Sequence, residues 1–190
     1  MRGRRALWTA KLSGKNTKPS VFSIGRTDFQ GAILGIDPSL RGSGFGVIRV
    51  DERQQIHWVD SLTLKLSAKK SFVDCLGEIF LTTQRFLERY AVCAVALEQT
   101  IYVQNLKTAQ VLGAVRGACL SAVALQHLQV VEFPPLRIKK SVTGIGNATK
   151  LQVSAMIAQL LHLPHPLPPD ESDAVGAALC FFSSLKSLKV

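Results

Sequence analysis

The sequence predicts an α/β fold with five strands, and the spacing of its apolar residues carries the prediction. Three short apolar strands come first, at 32–37, 44–50 and 55–64, and glycine or acidic residues separate them. Later strands at 92–98 and 129–133 are separated by a long helical pattern. The order is three strands, helix, strand, helix, strand and then helices, and the first three strands indicate an antiparallel meander.

Helical periodicity is clearest at 69–90, where apolar residues form one stripe and charged residues lie on the opposite side. A second helix is predicted at about 105–126. It is rich in alanine and carries Gly113 and Gly117 on one face, so we expect another element to pack tightly there.

The remaining helices begin at about 149 and at Asp170, the last one running to about Ser184. We find no internal repeat and no boundary between two domains. We therefore divide the chain into a basic N-terminal arm at 1–31, one folded domain at 32–184 and a short tail at 185–190.

The chain is basic, with 23 Lys and Arg against 13 Asp and Glu and a net charge of +10. Such a charge favours a polyanionic partner, with nucleic acid as the first candidate. Residues 1–31 hold seven basic residues and one acidic residue, so +6 belongs to the arm and +4 to the remainder. Binding through the arm alone is an alternative. The composition of the arm suits a transit peptide, a DNA-contacting tail or a misplaced start.

The cysteines indicate a reducing compartment. They are far apart, contain no C-x-x-C pair and lie in apolar surroundings, so we expect reduced core thiols and a cytoplasmic location. The four positions are Cys75, Cys93, Cys119 and Cys180. No apolar stretch approaches the roughly 20 residues of a membrane helix, so we expect no membrane association.

The segment ILGIDPSLRGSGFGVIRV at 33–50 could be a phosphate loop or a strand that ends in an acid. A phosphate loop needs its glycines to lead into a helix, whose first amides bind the phosphate. Here Gly42, Gly44 and Gly46 lead into an apolar strand, so they are predicted to form a tight turn. The candidate functional group is therefore Asp37, at the strand terminus.

Three further acids have comparable positions. Glu98 ends another apolar strand, and Asp170 and Asp173 share one face at the start of the last helix. Taken singly, each has a structural explanation, such as helix capping. If the four carboxylates converge, they repel one another unless a divalent cation lies among them. Two Mg²⁺ ions about 4 Å apart would promote metal-assisted hydrolysis of a phosphodiester.

Five segments resemble the RuvC family, the bacterial crossover (Holliday) junction endodeoxyribonucleases. They are ILGIDPSLRGSGFGVI, VALEQTIYVQN, LGAVRGA, VTGIGNATKLQV and PPDESDAVGAAL, in that order along the chain. The resemblance implies a ribonuclease H-like fold, with a five-stranded mixed sheet and helices on both faces. It places the family's four catalytic and metal-binding acids at Asp37, Glu98, Asp170 and Asp173.

The same resemblance implies a function in DNA recombination and repair. RuvC-like enzymes use Mg²⁺, which Mn²⁺ can replace, and act as homodimers that nick opposed strands of a four-way DNA junction. They work with RuvA and RuvB. The glycines of the first loop would let the DNA backbone approach closely.

Two departures from the family lie near the predicted site. Ser39 stands where the family more often has glycine, and Gly42-Ser43 replaces threonines. After EQ, related enzymes have an aromatic ring that stacks on bases, whereas this chain has Ile101 followed by Tyr102. Either Tyr102 takes that role, or the contact is weaker and Tyr102 anchors the loop.

Basic residues follow the fifth strand. Arg137, Lys139 and Lys140 lie within four positions, and Lys150 follows a glycine-containing loop. Any charge run is consistent with a solvated helix face. Because the resemblance places family lysines near the scissile phosphate at Lys139 and Lys150, we expect phosphate contacts from those two residues.

Three other functions are compatible with parts of the pattern. Actin-like and sugar-kinase ATPases also begin with GID and a turn of small residues, but they need two such domains and a second phosphate loop. A junction-binding protein without catalysis would not need all four acids. A related hydrolase that acts on RNA is the third alternative.

Overall fold

A computed structural model describes residues 29–99 and 105–186. Most of the N-terminal arm, the positions Ile101 and Tyr102 and the end of the C-terminal tail lie outside the described residues. The elements in chain order are β1 Gly31–Asp37, β2 Gly42–Val50, β3 Ile56–Lys65, α1 Phe72–Arg89, β4 Val92–Glu98, α2 Leu106–Leu125, β5 Val130–Phe133, α3 Pro135–Thr143, α4 Lys150–Leu160 and α5 Pro169–Lys186.

The five strands form one mixed sheet in the order β3-β2-β1-β4-β5. The meander of β1, β2 and β3 is antiparallel, as the sequence predicts. Strands β4 and β5 are added in parallel on the other side of β1. The parallel pairing of β1 with β4 brings their carboxyl ends to the same edge of the sheet.

Apolar side chains on both faces of the central strands explain why the sheet is covered twice. Leu34, Ile36 and Leu97 belong to the core shared with α1 and α2, whereas Ile33 and Ala96 belong to the core shared with α3, α4 and α5. Successive residues of a strand point to opposite faces, so an almost continuous apolar run requires a layer of helices on each side. The predicted five-stranded mixed sheet with helices on both faces is confirmed.

Helix α3 has no counterpart in the sequence prediction, which describes 134–141 only as a basic segment. Pro135 occupies the first turn, where its missing N–H leaves no hydrogen bond unmade. Gly144 ends the helix with a left-handed φ of 77°, and its N–H donates to the carbonyl of Lys140. The helix is short, and its apolar residues Ile138 and Val142 are too few to reveal its period.

Helix α2 corrects two expectations. A Cβ at Gly113 or Gly117 would meet nothing within 4 Å in the described part of the chain, so nothing there packs against the two glycines. In addition, α2 is 20 residues long, and the mean hydropathy of its most apolar 18-residue stretch is 1.4. Only 22% of that stretch is buried. By length and composition alone it could cross a membrane, contrary to the expectation that no segment could.

The cysteines are free, as expected. Three of them, Cys75, Cys119 and Cys180, are buried, but Cys93 is exposed. The interpretation of all four as core residues is therefore wrong for Cys93, which lies at the start of β4.

Candidate active site

Two of the predicted acids meet because β1 and β4 are parallel neighbours. Ile36 pairs with Leu97, so the following residues, Asp37 and Glu98, project together beyond the same edge. Glu98 is held in place by the next strand, since the backbone N–H of Gln99 donates to the carbonyl of Phe133 at 2.9 Å. This edge is the usual ligand-binding position in parallel sheets.

The N-terminal end of α5 brings the other two acids to the same edge. One carboxylate oxygen each from Asp37, Glu98 and Asp173 lies within 4.8 Å of the others. Asp170 is outside this group of three but lies beside it, and its charge contributes to the raised pKa of Asp37. The structure thus brings three of the four acids within coordinating reach of one ion and places Asp170 at the border of the site.

The glycines of the segment at 33–50 lie in strands where the backbone of α5 packs directly on the sheet. This corrects the prediction that Gly42, Gly44 and Gly46 form a tight turn. Gly44 and Gly46 lie inside β2, and Gly35 lies opposite Gly46 in β1. A Cβ on Gly44 would lie 1.9 Å from the backbone oxygen of Asp170, and a Cβ on Gly35 would lie 1.8 Å from that of Ala174. Because glycine has no side chain, the backbone of α5 can lie directly on β1 and β2, and its acids come close to the edge of the sheet.

The turn after Asp37 is closed by serines at the two positions that depart from the family. The buried Ser43 hydroxyl donates to the carbonyl of Ser39 at 2.5 Å and accepts from its N–H at 3.0 Å. Arg41 fixes the turn from outside by donating to the carbonyls of Ser67 and Lys70 at 2.5 and 3.1 Å. Sequence patterns gave no signal for Arg41, because its partners are carbonyls 26 and 29 residues away.

The electrostatics of the site favour a bound cation. Burial, and then the charge of Asp173, raises the pKa of Asp37 from 3.8 to about 6. Burial, and then the charge of Asp37, raises the pKa of Glu98 from 4.5 to about 7. Neighbouring carboxylates that resist ionisation together are stabilised by a positive charge. Oxygen donors at this spacing suit a hard divalent ion, so the residues fit the metal that the sequence implies.

Two predicted lysines adjoin the acids. Lys150 opens α4, and its Nζ donates to Oδ2 of Asp173 at 2.6 Å, which raises the pKa of the lysine. The charge of Lys139, on α3, makes a small contribution that lowers the pKa of Glu98. Lys150 therefore contacts the carboxylate centre, and the phosphate contacts expected of Lys150 and Lys139 stay a prediction.

The other two predicted basic residues are placed differently. The guanidinium of Arg137 lies over the ring of Phe133, 5.2 Å from its centroid. Lys140 follows Lys139 on α3 and is exposed. In this structure neither residue contacts the acids.

The fold and this carboxylate centre define a ribonuclease H-like protein with a metal-binding site at the edge of its sheet. The family model described as crossover junction endodeoxyribonuclease RuvC matches residues 33–181. The chain therefore belongs to the RuvC family of crossover junction endodeoxyribonucleases.

Individual relatives agree over most of the chain. The crossover junction endodeoxyribonuclease RuvC of Koribacter versatilis is 36% identical over 157 residues, which cover 82% of this chain and 95% of that protein. The Geotalea uraniireducens protein of the same name is 38% identical and covers 80% and 88%. The solved structure of T. thermophilus RuvC in complex with Holliday junction substrate has a TM-score of 0.76 and 26% identity, covering 83% and 96%.

Proposed function

We propose that this protein resolves four-way (Holliday) DNA junctions by metal-assisted phosphodiester hydrolysis, with paired nicks on opposed strands, in DNA recombination and repair. The observation that carries the proposal is the meeting of Asp37, Glu98 and Asp173, whose carboxylate oxygens lie within 4.8 Å of one another, beside Lys150. Carboxylates bind the metal and ammonium groups bind phosphate, which are the two components that phosphodiester cleavage needs.

In the proposed mechanism Asp37, Glu98 and Asp173 would hold Mg²⁺, and Asp170 would complete the shell. Two ions fit the role best, with Mn²⁺ as a substitute. Bound there, the metal would polarise the phosphoryl oxygen and lower the pKa of a bound water.

Lys150 and Lys139 hold the scissile phosphate in this proposal. The side chain of Lys150 is 64% exposed, so its ammonium can reach a phosphate while it remains beside Asp173. Arg137 and Lys140 contact the DNA backbone farther from the reaction. The base-stacking role falls to Tyr102 or Ile101, which lie outside the described residues.

We also propose that two copies associate through α2. This helix is apolar but mostly unburied, and its glycines leave a smooth surface that a second helix can approach closely. Gly117→Arg is expected to convert a dimer to a monomer in sedimentation or light scattering. A wild-type protein that is monomeric at all concentrations would refute this interface.

Partners and location follow from family membership and composition. We propose that the enzyme works with RuvA and RuvB in a bacterial cytoplasm, where its free cysteines remain reduced. Copurification of the full chain with RuvA and RuvB tests the first statement.

The test of the proposed activity is cleavage of a labelled four-way junction with and without Mg²⁺. We expect paired nicks on opposed strands, no cleavage of linear duplex, and no activity in a chelator. Asp37→Asn should bind the junction without cutting it. Hydrolysis of nucleotide without DNA would favour an ATPase, and preferred cleavage of an RNA junction would favour an RNA hydrolase.

A further inference from the structure

Glu171 is an acid of the α5 first turn that takes no part in the carboxylate centre. It lies between Asp170 and Asp173 in sequence, and its side chain reaches β3 instead. Oε2 accepts from the hydroxyl of Ser61 at 2.6 Å, and Oε1 accepts from the hydroxyl of Thr63 at 3.3 Å.

The geometry of β3 suits this contact. Ser61 and Thr63 are two residues apart, so their hydroxyls emerge on the same face of the strand and one carboxylate can span both. These residues pair with Gly46 and Gly44 of β2, the positions on which the backbone of α5 lies. The two hydroxyls therefore continue the surface under the helix, at its β3 side.

The glycines create a need for such a contact. Helices usually keep their rotation and position because side chains interdigitate with those of the neighbouring element. At Gly35, Gly44 and Gly46 the sheet offers no side chain, so the backbone of α5 meets a smooth surface. Apolar side chains farther along α5 pack against α3 and α4, so at the N-terminal end of the helix polar contacts add to that packing in setting its rotation.

Glu171 supplies such a contact to β3, while Asp173, which accepts a hydrogen bond from Lys150 of α4, lies on the opposite side of the helix. They are two positions apart, which is about 200° around a helix, so one faces β3 while the other faces Asp37 and Glu98. A carboxylate about 6 Å from the helix axis moves by about 1 Å when the helix turns by about 10°. A displacement of about 1 Å can cost about 100-fold in catalysis.

We propose that Glu171 is a positioning residue that fixes the rotation of α5 through Ser61 and Thr63 and so sets the reach of Asp170 and Asp173 into the metal site. The inference rests on the proposed function, because it concerns that same site. Hydrogen bonds to an ionised carboxylate are stronger than neutral ones, which suits them to this role.

The experiment measures Mg²⁺ affinity by titration calorimetry on the metal-free full-length protein, together with cleavage of the junction. Glu171→Ala and the double variant Ser61→Ala/Thr63→Val are each expected to weaken Mg²⁺ binding at least fivefold. Both should lower kcat about tenfold, with KM for the junction within twofold. Because all three side chains act through one contact, adding Glu171→Ala to the double variant should cause little further loss.

Two control variants separate positioning from general stability. Glu171→Gln keeps an oxygen that accepts one hydroxyl, so it is expected to recover most of the Mg²⁺ affinity. Glu78→Ala, on α1, removes the ion pair between Glu78 and Lys70 and should leave both Mg²⁺ affinity and kcat unchanged.

Wild-type Mg²⁺ affinity in Glu171→Ala would overturn the inference, even if that variant unfolds at a lower temperature. A wild-type protein that binds no Mg²⁺ would overturn the metal site and the role of Glu171 with it. A wild-type protein that binds Mg²⁺ but leaves junctions intact would overturn the proposed activity alone, and weaker binding by Glu171→Ala would still support the positioning role.

Discussion

Asp37→Asn is expected to stabilise the metal-free protein at pH 8 and to reduce the increase in stability that Mg²⁺ causes. In the wild type the carboxyl of Asp37 has a pKa of about 6 in the folded chain, against an ordinary value of 3.8. Each unit corresponds to about 1.4 kcal/mol, so ionising this group in the folded protein costs about 3 kcal/mol. Partial exposure of the side chain reduces the figure to about 1–3 kcal/mol.

The pH dependence follows from the sign of the shift. The folded-state pKa lies above the unfolded value, so the folded protein holds the proton over the interval from about pH 4 to about pH 6. Stability from this group is present below pH 4 and is lost as the pH rises through 6. Asparagine carries no proton to lose, so the variant should match the wild type within about 0.5 kcal/mol at pH 4 and exceed it at pH 8.

Thermal unfolding at pH 4 and pH 8, in chelator and in saturating Mg²⁺, measures both effects. For a chain of this size about 1 kcal/mol corresponds to about 2–4 °C, so we expect Asp37→Asn to raise Tm by about 2–12 °C at pH 8 in chelator. Mg²⁺ should raise Tm for the wild type but much less for the variant, since one of its ligands is gone. The exposed substitution Glu88→Gln on α1 is the matched control for the loss of one charge.

The reasoning fails if Asp37→Asn lowers Tm at pH 8 in chelator, because the carboxylate would then be stabilised by its surroundings. It also fails if the gain in stability is the same at pH 4 and pH 8, since charge burial would not be the cause.

Three further predictions concern neighbouring residues. Gly44→Ala should destabilise the fold by about 3 kcal/mol or more in a urea titration and abolish cleavage, because its Cβ would overlap the backbone of α5. Gly77→Ala, at an exposed helix position where a Cβ would meet nothing within 4 Å, should stabilise the fold by about 0.5–1 kcal/mol in the same titration. Lys150→Ala removes a cation that lowers the pKa of the two central acids, so the pH–rate profile should move to higher pH, and an unmoved profile contradicts the assignment. Ser172→Ala should leave stability unchanged or raise it by up to about 1 kcal/mol in thermal unfolding, because the buried hydroxyl has no hydrogen-bond partner among the described residues. A clear loss of stability would contradict this and indicate that the hydroxyl has a partner.

The sequence alone determined the strands, most of the helices and the identity of the acids. Apolar periodicity is local, and it predicted the strand that ends at Asp37 and the one that ends at Glu98 to within two residues at either boundary. An ionisable residue at the end of an apolar run is visible in one dimension, because burying its charge without compensation would be costly. The family motifs then joined these positions to Asp170 and Asp173.

Only the tertiary structure decided how the pieces meet. The glycines of β2 look like a turn in sequence, but their function depends on the helix that lies across them about 130 residues later in the chain. The contact between Glu171 and β3 joins residues 108 and 110 positions apart, and neither hydroxyl has a local pattern that reveals it. Which acids share an ion, and what holds the helix that carries them, are set by close packing between distant segments, and local sequence patterns do not encode such packing.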